Sequence, residues 1–445
     1  MAGTTRRIEL DRRRFLRMMG SAGAVVAAGG AVSACGGLQE APGGGGGGGG
    51  GGADVIRIGY VSPETGPLAP FGEADQFVIT AIAEHFAQNP IQVGGTAYPV
   101  EIVKRDSQSD SNRAADVAAD LIQNGGINLM LVSSTPDTSN PVSDQCEANG
   151  MPCVSTVTPW QPWFFGRGGT EGSRFDWTYN FFWGLEDVGA VFTDMWGQVD
   201  SNRVAGALWP NDPDGLAWGN PQTGFPALVQ PAGYSIVDPG NYPNGTQDFS
   251  AQIARFQQEQ AELLLGVPIP PDFTTFWRQA VQQGYQPRLA TVAKALLFPS
   301  SVEALGDIAV NLGTEVWWSP NHPFTSSLTG QSCGDLASAY TEATGRQWTQ
   351  PIGFAHALFE VAAAAFAAVP AIDDRQALAN AIGSLQLDTV VGPLDWTSGP
   401  TPNVAKTPLV GGQWRTGTDF PYDLVIVENT QNPAIPTAGS VEPLR

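Results

Sequence analysis

Beyond residue 54 the chain alternates, twice over, between short β-rich runs and helix-like stretches. That alternation restricts it to parallel sheets with helices covering both faces. Val55-Ile56-Arg57-Ile58-Gly59-Tyr60-Val61 opens the first series as a strand, followed by a Pro/Gly loop and a helix over 76–86. Strands over 100–104, 127–132 and 151–156 and helices over 112–123 and 142–148 continue it. The second series has strands over 203–208, 234–238 and 261–266 and helices over 224–230, 248–258 and 273–283. Two α/β lobes follow from the two series. The apolar 352–369 run is long, but His356, Glu360 and its many alanines fit a buried globular helix better than a membrane span.

Residues 1–34 stand apart from this pattern. Six arginines (Arg6, Arg7, Arg12, Arg13, Arg14 and Arg17) precede an uncharged Ala/Gly/Val run from Met18 to Ala34, the order of an export signal. Arg12-Arg13-Arg14-Phe15-Leu16-Arg17 resembles a twin-arginine signal, with Asp11 where Ser or Thr is usual. Val32-Ser33-Ala34-Cys35 matches a bacterial lipobox, which makes Cys35 the lipidated residue. Residues 35–53 form a tether ending in the glycines Gly43 to Gly52. Glycine has no side chain to bury and high backbone entropy, so a flexible coil of about 19 residues with a reach of roughly 25 Å is expected.

Loss of residues 1–34 removes six of the 22 basic residues and two of the 43 acidic ones, leaving a charge of −25. Such a charge excludes nucleic acid and anionic lipid as electrostatic partners, so membrane attachment rests on the lipid. Cys146 and Cys153 bracket Glu-Ala-Asn-Gly-Met-Pro and are expected to close a small disulfide loop in an oxidising compartment, with Cys333 left as a thiol.

Several segments point the same way. Ile58-Gly59 followed by Thr65-Gly66-Pro67-Leu68-Ala69-Pro70-Phe71-Gly72 resembles the opening strand and loop of the leucine/isoleucine/valine-binding protein family, the type I periplasmic binding proteins. Asp248-Phe249-Ser250 with the 261–266 strand, and Asp388-Thr389-Val390-Val391-Gly392-Pro393-Leu394-Asp395-Trp396, resemble further family segments in the family's order. The likeness runs over residues 54 to 425. It implies a two-lobed clamp of parallel sheets flanked by helices, with three interlobe crossings near Phe182, His322 and Pro393. Lobe 1 is then 54–182 with 322–392, and lobe 2 is 183–321 with 393–445.

The resemblance also implies a site. Polar loops of the first lobe would hold a ligand carboxylate: Ser133, Ser134 and Thr135 after one strand, Thr156 and Thr158 after the next. Phe71 stands where the family puts a ring beside the ligand, and Trp183 and Trp209 belong to an unusually dense set of aromatics. The second lobe departs from the family. Trp209-Pro210-Asn211-Asp212-Pro213-Asp214-Gly215 lacks the expected tyrosine, and Lys294, one of three lysines in the chain, occupies the neighbourhood of an ammonium-binding carboxylate. A lysine there is expected to attract an amine-free acid.

Other motifs fail on their spacing. Asp106-x-Gln108-x-Asp110-x-Asn112 begins like a calcium loop, but Ser111 replaces the turn glycine and Val117 the bidentate glutamate. Gly330-Gln331-Ser332-Cys333-Gly334 has the pattern of a nucleophile elbow without a convincing preceding strand. His85, His322 and His356 lack metal-ligand spacing, so no metal or cofactor is expected. The chain is therefore expected to be a non-enzymatic, exported lipoprotein. It would work as a monomer, capturing an amino acid or related small organic acid, with an aromatic acid included, for the permeases of an ABC importer. A lipid-anchored sensor of the same fold and a secreted hydrolase using Ser332 are the competing readings.

Overall fold

The computed structural model describes residues 55–444. The export signal, Cys35 and the tether lie outside the described residues. Two sheets dominate. The first places six strands in parallel, in the order Val404–Ala405, Thr178–Phe181, Cys153–Thr156, Leu129–Ser133, Ile56–Ser62 and Val100–Asp106. The second has seven, in the order Tyr422–Glu428, Val410–Thr416, Gly313–Val316, Leu289–Val292, Leu263–Gly266, Val204–Leu208 and Ser235–Val237, the first two antiparallel to their neighbours and the rest parallel. Each sheet is the centre of one lobe, and the expected two-lobed α/β architecture is present.

The central strands are buried on both faces, as the run Leu129-Met130-Leu131-Val132-Ser133 shows by having every residue inside. Continuous apolar runs of this kind are what helices on both sides of a parallel sheet require. The expected buried helix is Pro351–Ala367, packed against the helix Asp75–Gln88 and the first sheet. No helix among the described residues is long and apolar enough to cross a membrane.

The helix Pro136–Ala148 begins six residues earlier than the sequence reading of 142–148 and runs through Pro141. Proline there cannot donate to the carbonyl of Asp137. Ser111 Oγ supplies the missing donor at 2.6 Å, which satisfies that carbonyl and keeps the helix N-terminus in place.

The chain leaves the first lobe at Phe182–Gly184 and returns through the segment that starts at Trp317, close to the expected positions. The third crossing differs. Gly392–Asp395 pairs with Gln386–Thr389 in a hairpin beside the helix Pro351–Ala367, and Val404–Ala405 still belongs to the first sheet. The chain crosses at Lys406–Leu409, thirteen residues beyond Pro393. Gly392, at φ 104°, makes a hairpin turn there, and a Gly-Pro pair reads the same in a turn as in a crossing. Lys406 then ties the third crossing to the first, its ammonium 2.7 Å from both Glu186 and Asp187.

The expected Cys146–Cys153 disulfide is absent: both residues are buried free thiols. They lie close enough to act on each other: burial and Cys153 push the Cys146 thiol up, whereas at Cys153 burial is outweighed by Cys146 and Arg167, which pull it down. Within an apolar cluster that includes Met130, Val132 and Val142 they pack as small hydrophobic side chains.

Candidate functional site

A cavity lies where the carboxyl ends of both sheets face each other. The first lobe supplies Phe71, Thr135, Val157 and Pro159; the first two crossings supply Phe182, Trp183 and Trp317. The second lobe supplies Asp214, Trp218, Val267, Lys294 and Glu315, with Ala293 and Leu297. Strand ends are where a parallel sheet leaves loops and helix N-termini free to meet a ligand. The space between the lobes is about 30 Å³, room for on the order of two waters. Phe71 closes it by an edge-to-face contact with Phe298 of the other lobe, centroids 4.8 Å apart.

Two residues hold a backbone conformation that side chains disfavour. Val157 has φ 63° and Lys294 has φ 62°, one on each lobe, and both line the cavity. A β-branched residue in the left-handed region is strained, and such strain concentrates at ligand clamps. At Lys294 the turn is closed by a hydrogen bond from Ala295 N–H to Ala293 O at 2.5 Å.

Most of the expected hydroxyls face elsewhere. Thr156 Oγ1 donates to Phe181 O at 2.7 Å, and Thr158 Oγ1 donates to Ser134 O at 2.6 Å. Ser134 Oγ accepts from Thr138 at 2.6 Å, and Ser133 is buried behind the cavity wall. Thr135 alone of this set lines the cavity, and its hydroxyl donates to Asp137 at 3.2 Å. A short hydroxyl at a strand end reaches the adjacent backbone, and burial rewards that bond. Phe71 and Trp183 line the cavity as expected; Trp209 lies behind it, packed against Trp218 and Phe225.

Lys294 reaches the site, but in company that the sequence reading did not foresee. Its ammonium lies 2.8 Å from Asp214, 3.1 Å from Asp212 and 3.7 Å from Asp137. Asp212 caps the helix Pro213–Trp218 by accepting from Gly215 N–H at 2.8 Å, and its other oxygen accepts from Asn244 at 3.1 Å. Glu315 accepts from Lys294 N–H at 3.4 Å and from Thr314 Oγ1 at 2.9 Å. Burial works to lower the pKa of Lys294, but the three aspartates outweigh it and hold the amine protonated. Burial pushes Asp214 up to about 6 and Glu315 to about 7, and raises Asp137 although Lys294 opposes it. The expectation that Lys294 draws in a ligand carboxylate is corrected by this count: one ammonium already faces three carboxylates.

Asp137, Asp212, Asp214 and Glu315 escaped the sequence reading as site residues. The signal for two of them was the Asp-Pro-Asp-Gly run itself, which reads as a helix cap and also brings two carboxylates to a strand end. Glu315 carried no such signal, since a glutamate inside a β-rich run looks like a solvent-facing position. The Ser332 motif is structural: Ser332 caps the helix Cys333–Thr344 and exchanges hydrogen bonds with Asp335. Among the described residues no cluster of His, Cys, Asp and Glu has the arrangement of a metal site.

The family of periplasmic binding proteins matches residues 55–419. No curated protein matches the chain. Solved structures that resemble it include a leucine-binding protein, LivK, from Thermotoga maritima, with a TM-score of 0.69 and 18% identity over 85% of this chain and 100% of that one. LivJ from Streptococcus pneumoniae, in complex with isoleucine, has a TM-score of 0.67 and 14% identity over 84% and 100%. A solute-binding protein of an ABC transporter from Rhodopseudomonas palustris, in complex with 3,4-dihydroxybenzoic acid, has a TM-score of 0.67 and 14% identity over 84% and 97%.

Proposed function

The chain belongs to the periplasmic binding protein family, and from that premise we propose that it is the lipid-anchored solute-binding component of an ABC importer. It captures one small organic solute between its lobes and presents it to permease subunits at the extracytoplasmic face of the membrane. The observation that carries this reading is a cavity lined from both sheets and from two of the three crossings. The cavity as it stands is too small for such a solute, so the lobes must part to admit it; a solute that then touches both lobes turns binding energy into closure energy, and a permease can read the closed form. The protein performs no reaction on the solute.

The solute class expected from sequence is an amino acid or a related small organic acid. The Thermotoga and Streptococcus proteins are described with branched-chain amino acids and the Rhodopseudomonas protein with an aromatic acid. All of these are compact and largely apolar, which suits walls made of Phe71, Phe182, Trp183, Trp218 and Trp317. A thermal-shift screen across amino acids, amines, short-chain acids, aromatic acids and amides tests the reading. A true solute should raise the melting temperature, by an amount equivalent to about 2.7 kcal/mol at a hundredfold excess over its Kd. Small-angle scattering with that solute should show a smaller radius of gyration; a tight solute that leaves it unchanged would count against capture by closure.

Anchoring has its own test. Cys35→Ser should leave the precursor uncleaved or release the protein from membranes, and unchanged membrane partition with unchanged mature mass would remove the lipid from the proposal. Co-purification with permease subunits separates an importer component from a sensor.

A further inference from the structure

The charges around the cavity do not balance. Asp137, Asp212 and Asp214 share the one ammonium of Lys294, and Glu315 adds a fourth carboxyl that meets backbone N–H groups, its own and that of Lys294, and the hydroxyl of Thr314, but no cation. Asp214 lines the cavity, is 3% exposed, and leaves its Oδ1 without a hydrogen-bond partner. A buried carboxylate oxygen with no donor is costly, and a charged N–H donor removes that cost most effectively.

The other buried side-chain polar atoms of the lining that lack a partner are donors. The indole N–H groups of Trp183, Trp218 and Trp317 have no acceptor. Taken alone they would suit a carboxylate as well as a neutral oxygen. The surrounding charge decides between the two, because a ligand carboxylate would enter a low-dielectric space already facing Asp137, Asp214 and Glu315. The hydroxyls that would have held it face the backbone, and Thr135, the one at the cavity, is bonded to Asp137. The same aromatic walls attract a cation through their ring faces.

Resting on the solute-binding reading above, we infer that the cleft selects an organic ammonium compound without a carboxylate. Its charged nitrogen lies at Asp214, its apolar body lies among the rings, and a neutral hydroxyl or carbonyl oxygen meets the indole donors. Amino alcohols and amino amides are the matching class.

Calorimetry on the full-length protein with matched probes tests this: leucinol, leucine and 4-methylpentanoic acid, then phenylalaninol, phenylalanine and 3-phenylpropanoic acid. At least one amino alcohol should bind about tenfold or more tightly than its amino acid, and the amine-free acids should bind more weakly still. An amino acid or an acid that binds more tightly than its amino alcohol overturns the inference and leaves the binding reading intact. So does silence from all six while another class binds. No binding by any class overturns the reading beneath it.

Two variants sharpen the result. Asp214→Asn should cost the amino alcohol about tenfold in affinity. Lys294→Met leaves the carboxylates to the solute, so the amino alcohol should bind about tenfold more tightly, whereas a purely structural lysine would give unchanged or weaker binding. Should Lys294→Met fail to fold, Asp214→Asn decides alone, with its melting temperature recorded beside its affinity; unchanged affinity in a folded Asp214→Asn overturns the assignment.

Discussion

The two rims of the cleft are built alike and behave differently. Each has a helix beginning just after a strand, with Thr135 at the N-cap position on one lobe and Asp212 capping through its side chain on the other, and each has one residue in the left-handed region, Val157 and Lys294. On the first rim the polar groups are hydroxyls apart from Asp137, which joins the carboxylates round Lys294, and most of the hydroxyls close onto backbone carbonyls and one another. On the second they are carboxylates, which have no donor of their own and gather round the single lysine. The difference teaches that polarity near a strand end does not by itself make a ligand site. Neutral hydroxyls satisfy the nearest backbone group, whereas charged groups stay unsatisfied unless a counter-charge reaches them.

The strongest way to break this comparison is to remove an aromatic wall. Trp317 is fully buried between Phe182 and Phe354, with centroids 5.4 and 4.9 Å away, and Trp209 is equally buried but behind the cavity. Trp317→Ala and Trp209→Ala should each lose about 3 to 5 kcal/mol in denaturant unfolding. Solute affinity, measured below the unfolding transition, should fall only in Trp317→Ala; an equal loss in both would mean that the cavity wall is not a separate feature of the core.

A buried carboxyl of the first lobe offers a control with no lysine in an ion pair with it. Asp75 accepts from Ser62 Oγ at 2.6 Å, and burial pushes its pKa up to about 7 although Ser62, Tyr60 and Lys104 pull the other way. A folded pKa above the unfolded value of about 3.9 means that the native state holds the extra proton between about pH 4 and 7. Its contribution therefore favours the fold at low pH and is lost as pH rises through 7. Asp75→Asn should raise stability at pH 8 by about 1 to 3 kcal/mol and do little at pH 4. Melting curves at the two pH values check this, and a variant that is less stable at pH 8 contradicts it.

The second rim predicts a pH effect on binding. Burial pushes Asp214 and Glu315 up to about 6 and about 7; Asp137, Asp212 and Lys294 are the other charges that bear on Asp214, and Asp272 bears in turn on Asp212 and Lys294. A cationic solute favours the ionised carboxylates, so its affinity should fall about tenfold, or 1.4 kcal/mol, from pH 8 to pH 5. An acid would show the opposite trend, and calorimetry at both pH values tells them apart. The smallest effect concerns a lysine on the first lobe: Lys104 pairs with Glu64 at the surface, and Lys104→Met should cost less than about 1 kcal/mol. A larger loss would show that this pair, too, is a buried cluster in energetic terms.

Much of the scaffold was legible before any coordinates. Strand after strand from Ile56–Ser62 to Leu263–Gly266 falls within a few residues of its β-rich run, because a buried parallel strand needs a continuous apolar stretch and little else reads the same way. The order of the family's segments places Phe71, Thr135 and Lys294 at the cleft and the density of aromatics points to Trp183, and all four line it. The hydroxyls Ser134, Thr156 and Thr158 lie within a few residues of the cavity and still do not serve it, because side-chain direction is a property of the folded backbone. The third crossing was misplaced for a similar reason: Gly392-Pro393 marks a change of direction, and the sequence does not say which lobe the chain then joins.

The sequence by itself determined the two α/β lobes and which loops approach each other, since hydrophobic periodicity and turn chemistry are local properties that survive without a partner. The sign of the cleft's charge was decided by tertiary structure alone. Asp137, Asp212, Asp214, Lys294 and Glu315 span 179 positions of the chain, and what each contributes depends on how many of the others folding brings within a few ångströms in a space that excludes water.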